Sequence, residues 1–422
     1  MGFLADYVYY SSGNECPEDY LYWGGLSILG HLLGGKVAIA HGDYFPFRPN
    51  IYVCLVGEPG SGKNTCLGVN MDIMSEHFSQ YLVSASIQSR EDIAFQMADD
   101  VTCLKTYKDG LGINCDYRPF YVLNNELASF LSVDKLKMVE FLTEVYDGKR
   151  FGTGFKKDRQ TAPTRQQWFR NPHLSLIAGA VPTWFMGSLR MDLFSGGLGR
   201  RLIIVNSERI KVIPFPRKPL GADAAMSRVV EHLKAAEKYQ GLLQLDDKAK
   251  KWWEPWYRKH RDHVSEDPIL FQFDQTKAMQ VLKIASLLRM TEAPLGNNVT
   301  AEHLQAAEML LNNLVPTILK LTSGIGENKL AGVGARILDF IYANGGMVGE
   351  KTMLKHFGRY LRDPEFFELI EHYKKTEQIV VGQEPTTGKS FFFTPDGFKE
   401  YEKKRAEQLK ARTSPQAEPE AK

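Results

Sequence analysis

The chain has 422 residues, 43% of them hydrophobic, and its 52 Lys and Arg residues against 50 Asp and Glu residues leave a net charge of +2. This length predicts about two to four domains. No apolar run approaches the roughly 20 residues that cross a bilayer, which excludes a membrane-spanning helix. The five cysteines are odd in number and widely spaced, so they favour a reducing, cytoplasmic environment over a disulfide framework. The first residues lack the regions of a signal peptide, so we expect no export.

The first half of the chain has the pattern of an α/β domain. Residues 1–50 are interpreted as a helical lead-in that packs on the adjoining domain. From residue 51, short apolar runs rich in β-forming residues alternate with helical patterns, which predicts a parallel sheet with helices over residues 51–209. The predicted strands are 51–56, 120–123, 174–178 and 202–205, and helices between them include 90–98 and 135–146.

The second half has the pattern of helical segments and a small wing. Pro214, Pro216 and Pro219 mark a boundary, and residues 210–325 then contain helical patterns at 247–264, 276–290 and 300–321, which predicts a helical lid domain. In residues 326–402, three predicted helices precede two short strands, the order of a winged helix-turn-helix. Residues 403–422 are charged and then rich in Pro, Ala and Glu, so we expect a disordered tail.

A phosphate-binding loop comes directly after the first predicted strand. Residues 57–65, GEPGSGKNT, have the GxxxxGK spacing in which backbone N–H groups converge on phosphate oxygens and Lys63 reaches the outer phosphates. A chance match in a glycine-rich turn is the alternative. Asn64 stands where Ser or Thr places a hydroxyl on Mg²⁺, and Thr65 is the nearest substitute. The predicted ATP-binding residues are Gly57, Gly60, Ser61, Gly62, Lys63, Asn64 and Thr65.

The second predicted strand ends in polar residues suited to hydrolysis. In FYVLNNE (residues 120–126), Asn125 takes the place of the usual magnesium-holding Asp, and Glu126 takes that of the catalytic Glu. We therefore predict Glu126 as general base, with Thr65 and Asn125 holding Mg²⁺. An ordinary strand end with a surface Glu is the alternative, and the missing Asp is compatible with weak hydrolysis.

Two arginines precede the last predicted strand. Arg200 and Arg201 come after the glycine-rich turn FSGGLG and are candidates for arginine fingers that project onto the nucleotide of a neighbouring subunit. A solvated basic corner, or an acidic partner within the same subunit, is the alternative.

A basic and aromatic segment lies between the second and third predicted strands. Residues 148–172 interleave Lys and Arg with Phe and Trp, a combination that binds backbone phosphates and stacks on unpaired bases. A solvated loop is the alternative. The predicted contacts with single-stranded nucleic acid are Lys149, Arg150, Lys156, Lys157 and Arg159.

Six motifs in this order resemble the P-loop ATPase family of phage and mobile-element primase-helicase proteins: FLADYVYYSSGNECPEDY, PNIYVCLVGEPGSGKNT, FYVLNNELASFL, YDGKRFGTGFKKDRQ, NPHLSLIAGAVPTWF and GGLGRRLIIV. The resemblance covers residues 3–320 and extends distantly to the minichromosome maintenance helicases, an alignment that makes Arg200 the finger. It implies an AAA+-like fold, ATP between the subunits of a hexameric ring, and a basic hairpin facing the channel. Lys283 is the nearest match to the lid cation of such ATPases, or else is solvated. Val181 stands where they carry a polar γ-phosphate sensor.

These observations predict an ATP-dependent motor on single-stranded DNA, with Mg²⁺ as cofactor. The alternative is an ATP-binding switch or assembly factor, such as a helicase loader, in which little ATP is hydrolysed; Asn64, Asn125 and Val181 favour it. A small-molecule kinase is a weaker third interpretation. The third helix of the predicted winged domain is acidic, which counts against duplex binding and leaves contact with a protein, such as a replication partner, as the alternative.

Overall fold

The computed structural model describes residues 2–42, 46–84, 89–98, 107–108, 114–115, 119–132, 135–148, 151–155, 165–169, 172–188, 197–207, 211–262, 265, 268–322, 329–358, 361–383 and 388–413. The chain divides into two compact units, Met1–Ile325 and Gly326–Lys422, at the predicted boundary. The lead-in (residues 1–50), the α/β segment (51–209) and the segment predicted as a lid domain (210–325) all belong to the first unit. None of the described helices is long and apolar enough to cross a membrane.

The first unit alternates strands and helices. Its strands are β1 (Val37–Ile39), β2 (Tyr52–Val56), β3 (Leu82–Ser84), β4 (Tyr107–Lys108), β5 (Asn114–Cys115), β6 (Phe120–Asn124), β7 (Phe151–Phe155), β8 (Arg165–Phe169), β9 (Leu174–Ala180), β10 (Leu202–Asn206), β11 (Gly241–Leu245) and β12 (Asn298–Val299). Its helices are α1 (Phe3–Tyr10), α2 (Glu18–Leu32), α3 (Lys63–His77), α4 (Arg90–Ala98), α5 (Leu127–Ser132), α6 (Lys135–Tyr146), α7 (Pro182–Ser188), α8 (Ala222–Lys238), α9 (Asp247–Asp262), α10 (Pro268–Met290) and α11 (Ala301–Thr322).

The central sheet has five parallel strands in the order β10-β2-β9-β6-β3. The residues of β2, β6 and β9 are all buried, as expected when helices cover both faces of a parallel sheet. The predicted parallel α/β sheet is therefore confirmed. From β2 the chain crosses to β3 at one side, whereas from β9 it returns to β10 at the other. Ligands of open parallel sheets bind at the carboxyl ends of strands where such connections diverge.

The N-terminal segment is an integral part of this unit. Helix α2 is apolar on nearly all sides and buries 12 residues (its buried residues include Leu21, Leu26 and Leu29), which is typical of a helix enclosed by other elements. Strand β1 pairs in parallel with β11, and β11 pairs with β12. The predicted helical lid thus contains strands, one of which pairs with the lead-in.

The second unit contains α12 (Lys329–Ala343), β13 (Met347–Gly349), α13 (Glu350–Phe357), α14 (Asp363–Lys375), β14 (Val380–Gln383), β15 (Ser390–Phe393) and α15 (Pro395–Thr413). The strands form an antiparallel sheet in the order β13-β15-β14. Helix α15 extends through residues 403–413, which corrects the disordered tail predicted there. Lys404 pairs with Glu400 at 2.7 Å, and Phe398 packs against Phe393 with ring centroids 5.3 Å apart. The pair supports the helix locally, and the ring contact anchors its first turn.

Candidate functional site

The glycine-rich loop lies at the carboxyl edge of the central sheet, between β2 and α3. Gly60 and Gly62 have φ values of +81° and +88°, a backbone conformation that glycine adopts without a steric penalty. The Gly57 N–H donates to the Ala180 carbonyl at 3.2 Å, which joins the start of the loop to the end of β9. The predicted strand, loop and helix therefore succeed one another as the spacing required, with the N-terminus of α3 behind the loop.

The Lys63 ammonium lies inside this loop. Its Nζ donates to the Gly57 carbonyl at 2.5 Å, the Glu58 carbonyl at 2.9 Å and the Ser61 hydroxyl at 3.2 Å. Only 8% of the residue is exposed, and this burial lowers the pKa of Lys63, against the opposing charge of Glu58. The loop therefore holds a cation among its own oxygens at the N-terminus of α3, and a helix N-terminus with a nearby cation suits a bound anion.

A cavity of about 550 Å³ opens beside the loop, a size within the range of small-molecule sites. It is lined by loop residues, by Pro182, by Asn206 and Ser207 at the end of β10, and by Lys320 and Leu321 at the end of α11. Lys320 was missed by the sequence analysis. Its helix reaches the site from a distant part of the chain, and a single lysine in a last helical turn carries no local motif.

Residues 16–20 support the loop from behind. The Tyr20 hydroxyl lies 2.5 Å from the Val56 carbonyl and 2.8 Å from the Ser207 carbonyl, so it bridges the ends of β2 and β10. A Cβ atom at Gly62 would lie 2.9 Å from the Cys16 Cα. These contacts, also missed from sequence, leave the loop no room for a larger residue at that turn.

The predicted catalytic residues lie at the end of β6, two strands from the loop. The Asn124 side chain accepts a hydrogen bond from the Glu126 N–H at 2.9 Å, and the Glu126 carboxylate accepts one from Ser129 at 2.9 Å. Asn125 and Glu126 are exposed. A Cβ atom on Gly179 would lie 2.5 Å from the Asn125 carbonyl and 3.7 Å from Lys63 Cδ. The fold therefore brings Asn125 and Lys63 to the same glycine of β9.

Asn64 and Thr65 lie exposed in the first turn of α3. Within the described part of the chain, no three His, Cys, Asp or Glu side chains are grouped to hold a metal ion. Such a group is not required for Mg²⁺ at a nucleotide, which takes one or two protein oxygens together with phosphate oxygens and water. Thr65 and Asn125 have the oxygen donors that this mode of binding uses.

The two arginines before β10 have different environments. Arg201 is buried and donates to both carboxylate oxygens of Asp147, at 3.0 and 2.7 Å. An acidic partner in the same subunit thus accounts for Arg201. Arg200 is partly exposed, and its Nε finds no hydrogen-bond partner among the described residues. Burial lowers the pKa of Arg200, and the charge of Arg201 lowers it further.

Arg200 lies at the edge of the sheet opposite the loop. Leu202 pairs with Tyr52, whereas the loop begins after Val56, four residues or about 13 Å further along the strand. Because Arg200 precedes Leu202, it is separated by the full depth of the sheet from the loop of its own chain.

Lys283 is neither solvated nor part of the cavity lining. It is 1% exposed, and its Nζ donates to Asn50 Oδ1 at 2.7 Å, to the Asn50 carbonyl at 3.1 Å and to the Tyr146 carbonyl at 3.3 Å. Burial holds the pKa of Lys283 well below its usual range. The prediction of a solvated residue is wrong, because α10 packs this side chain into the interior, where backbone and amide oxygens receive its N–H groups.

The predicted nucleic-acid contacts lie outside the described residues. This holds for Lys149, Arg150, Lys156, Lys157 and Arg159. The adjoining strands β7 and β8 pair antiparallel, with Phe151 opposite Phe169 and Phe155 opposite Arg165. The segment therefore has the hairpin backbone that the resemblance implied. Its roots, residues 146–148 and 172–174, are described and lie at the amino end of β9.

In comparisons with known proteins, no protein-family model and no curated protein matches this chain. Its function has therefore to be inferred from the residues of the site.

Proposed function

We propose that this chain is an ATP-dependent motor on single-stranded nucleic acid, of the kind found in phage or mobile-element replicative DNA helicases. The observation that carries the proposal is the placement of Lys63 and Arg200 at opposite edges of one parallel sheet. Within one chain, the loop suited to phosphate and the cation suited to completing a nucleotide site lie at opposite edges of the sheet. Head-to-tail contact between copies brings them together, and repetition of that contact closes a ring.

The residues of the carboxyl edge have roles that derive from their positions. Lys63 and the N–H groups of the loop neutralise and orient phosphate oxygens. Thr65 and Asn125 supply oxygens to Mg²⁺, and Glu126 orients the attacking water and accepts its proton. Bound ATP supplies the phosphoanhydride bond, and Mg²⁺ offsets the charge of its phosphates. Lys320, at the cavity rim, is a second cation on the phosphate side.

The remaining roles belong to the opposite edge and to the hairpin. Arg200 stabilises charge at the site of the neighbouring copy, a function that can raise turnover by about 10³- to 10⁵-fold. Lys149, Arg150, Lys156, Lys157 and Arg159 grip the backbone of a single strand. We propose a homo-oligomer, as a hexameric ring, in which ATP turnover moves these hairpins.

A second function, the ATP-binding switch or assembly factor, is favoured by one feature of the structure. The end of β6, two strands from the loop, supplies Asn124 and Asn125 where a magnesium-holding carboxylate was expected. An amide can bond to metal-bound water but brings no charge to it. A chain with this site can bind ATP between copies and so stabilise an oligomer, while it hydrolyses the ATP only slowly.

The proposal is tested by ATP hydrolysis with and without single-stranded DNA. In a DNA-stimulated motor, Lys63→Ala and Glu126→Gln each lower turnover by about 100-fold or more. Lys250→Gln is the control, because it removes a surface cation that pairs with the exposed Asp247 in α9, a helix that does not line the cavity. If the wild type binds ATP but turns over no faster than Glu126→Gln, with or without DNA, the motor is excluded and the switch remains.

We propose that the second unit contacts a protein partner of replication. Its helices and strands have the order of a winged helix-turn-helix, with one additional strand and a C-terminal helix. The exposed face of α14 carries Glu365, Glu368 and Glu371 beside Phe367, which is 41% exposed. Like charges repel the phosphates of a duplex. Duplex DNA binding that is lost on deletion of residues 326–422 would contradict this assignment.

A further inference from the structure

The two roots of the hairpin are held by a single buried side chain. Asn50 Nδ2 donates to the Tyr146 carbonyl at 3.3 Å and to the Leu174 carbonyl at 3.1 Å. Tyr146 is the last residue of α6 before the hairpin, and Leu174 is the first residue of β9 after it. Asn50 is 2% exposed and lies just before β2. The outgoing and returning chain are therefore fixed to the amino edge of the central sheet.

Helix α10 holds this point and the arginine turn at once. Its Lys283 binds both oxygens of Asn50 and the Tyr146 carbonyl. In the two preceding turns, Thr276 and Gln280 both donate to the carbonyl of Arg200, the latter at 3.1 Å. The backbone of Arg200 and the roots of the hairpin are thus bound to neighbouring turns of the same helix.

A direct ion pair completes the connection. Asp147, the residue after Tyr146, accepts two hydrogen bonds from Arg201, and Arg201 also donates to the Gly197 carbonyl at 2.6 Å. The Arg201 side chain is 5% exposed and that of Asp147 is 19% exposed. A bidentate pair of this kind fixes both distance and orientation. Movement at the outgoing root therefore displaces the turn that carries Arg200, or else leaves a guanidinium buried without its carboxylate.

We propose that Asp147 is a positioning residue that links nucleic-acid binding at the hairpin to the placement of Arg200 at the neighbouring nucleotide site. The inference rests on the proposed function. Nucleic acid that pulls on the hairpin acts through residues 146–148 on Arg201, and through Arg201 on the residue beside it. Conversely, a nucleotide engaged by Arg200 favours one position of the hairpin root, since coupling between two sites is reciprocal.

The test is Asp147→Asn in the full-length chain, assayed for ATP turnover with and without single-stranded DNA. The variant keeps the size of the side chain and removes the charge and one acceptor of the bidentate pair. Arg200 stays bound through its carbonyl to Thr276 and Gln280. We therefore expect basal turnover and DNA affinity to remain close to those of the wild type, while the stimulation of turnover by DNA falls about fivefold or more.

Asp6→Asn is the matched control. Asp6 is 2% exposed and accepts two hydrogen bonds from Arg228, at 2.9 and 2.5 Å, between α1 and α8. The Asp6→Asn variant loses the same kind of Asp–Arg pair, but between helices that contact neither the roots of the hairpin nor the turn that carries Arg200. Reduced DNA stimulation in Asp147→Asn with normal stimulation in Asp6→Asn supports the inference. If Asp147→Asn does not fold, Arg201→Lys takes its place as the test variant. It keeps the charge but not the two parallel hydrogen bonds, and its stimulation by DNA should fall in the same way.

Two results overturn the inference. In the first, Asp147→Asn is stimulated by DNA as strongly as the wild type. In the second, both Asn variants lose stimulation equally and in proportion to their loss of thermal stability. A wild type whose ATP turnover does not respond to DNA contradicts the proposed function itself. This outcome is distinguished from a failure of the inference because it is observed in the wild type, without any variant.

Discussion

The two edges of the central sheet are built in opposite ways. At the carboxyl edge, the glycine-rich loop is made by consecutive residues, and Glu58, Pro59 and Gly60 are exposed. At the amino edge, Asn50, Asp147, Arg201 and Lys283 come from four distant parts of the chain and meet largely out of solvent. The first edge exposes a short stretch of loop to solvent. The second holds charges rigidly in the interior, and it is therefore sensitive to any change that leaves a charge unpaired.

The largest expected effect is on the amino edge. Asp147→Ala leaves the Arg201 guanidinium buried without a carboxylate and should lower the free energy of unfolding by about 3–5 kcal/mol. Urea unfolding measures the loss. Asp6→Ala should cost less, because its partner Arg228 has 49% of its side chain exposed and regains water. Equal losses of unfolding free energy in the two variants would mean that the buried Arg201 depends on its carboxylate no more than the half-exposed Arg228 does.

At the carboxyl edge, Gly62→Ala should act on the ligand more than on the fold. The residue has a φ of +88°, and a Cβ atom there would lie 2.9 Å from the Cys16 Cα. Backbone strain of this kind costs about 1–3 kcal/mol, and relief of it moves the loop. We expect weaker ATP binding by calorimetry with a smaller change in melting temperature. Gly68→Ala is the control, since a Cβ atom there meets nothing within 4 Å.

Low pH should destabilise the first unit through two buried histidines. His31 and His173 are buried together, with ring centroids 6.5 Å apart. Burial lowers the pKa of His31 to about 3 and that of His173 well below its usual range. The unfolded chain binds these protons below a pH of about 6.5 and the folded chain does not, so stability falls as pH decreases below that value, by about 1.4 kcal/mol per pH unit for each histidine.

Urea unfolding at a series of pH values checks this slope. His31→Phe removes one of the two titrating groups, so its stability should fall less steeply with decreasing pH than that of the wild type. Parallel curves for the two proteins would show that His31 takes up its proton in the folded state.

The smallest expected effect concerns the support behind the loop. Burial raises the pKa of Tyr20 to about 12, so its hydroxyl stays protonated and keeps its hydrogen bond to the strand ends. Tyr20→Phe should cost about 1 kcal/mol of stability and lower ATP affinity modestly. Tyr22→Phe, two positions along the same helix, serves as the control. Unchanged ATP affinity in Tyr20→Phe would show that the loop holds its shape without the Tyr20 hydroxyl.

The same contrast explains which features were predictable from the sequence. The strands of the central sheet and the loop at residues 57–65 are encoded in local patterns, because apolar runs and glycine spacing are properties of neighbouring residues. Tyr20, Lys320 and the partners of Lys283 could not be predicted, because each contact joins segments far apart in the chain. The resemblance made Arg200 the finger, whereas the local residue pattern alone left Arg200 and Arg201 equivalent. The contact with Asp147 distinguishes Arg201, which is buried against an acidic partner, from the partly exposed Arg200.

The pairing of β1 with β11 has a consequence for biosynthesis. Val37 lies opposite Gly241, some 200 positions later, and a ribosome adding about 5–20 residues per second needs roughly 10–40 s to make that stretch. Until then, β1 lacks the strand with which it pairs, and the apolar surface of α2 is not yet covered by the later part of the chain. Non-local pairing of this kind also slows folding. The first unit is therefore expected to depend on chaperones that shield extended apolar segments while the chain is being made.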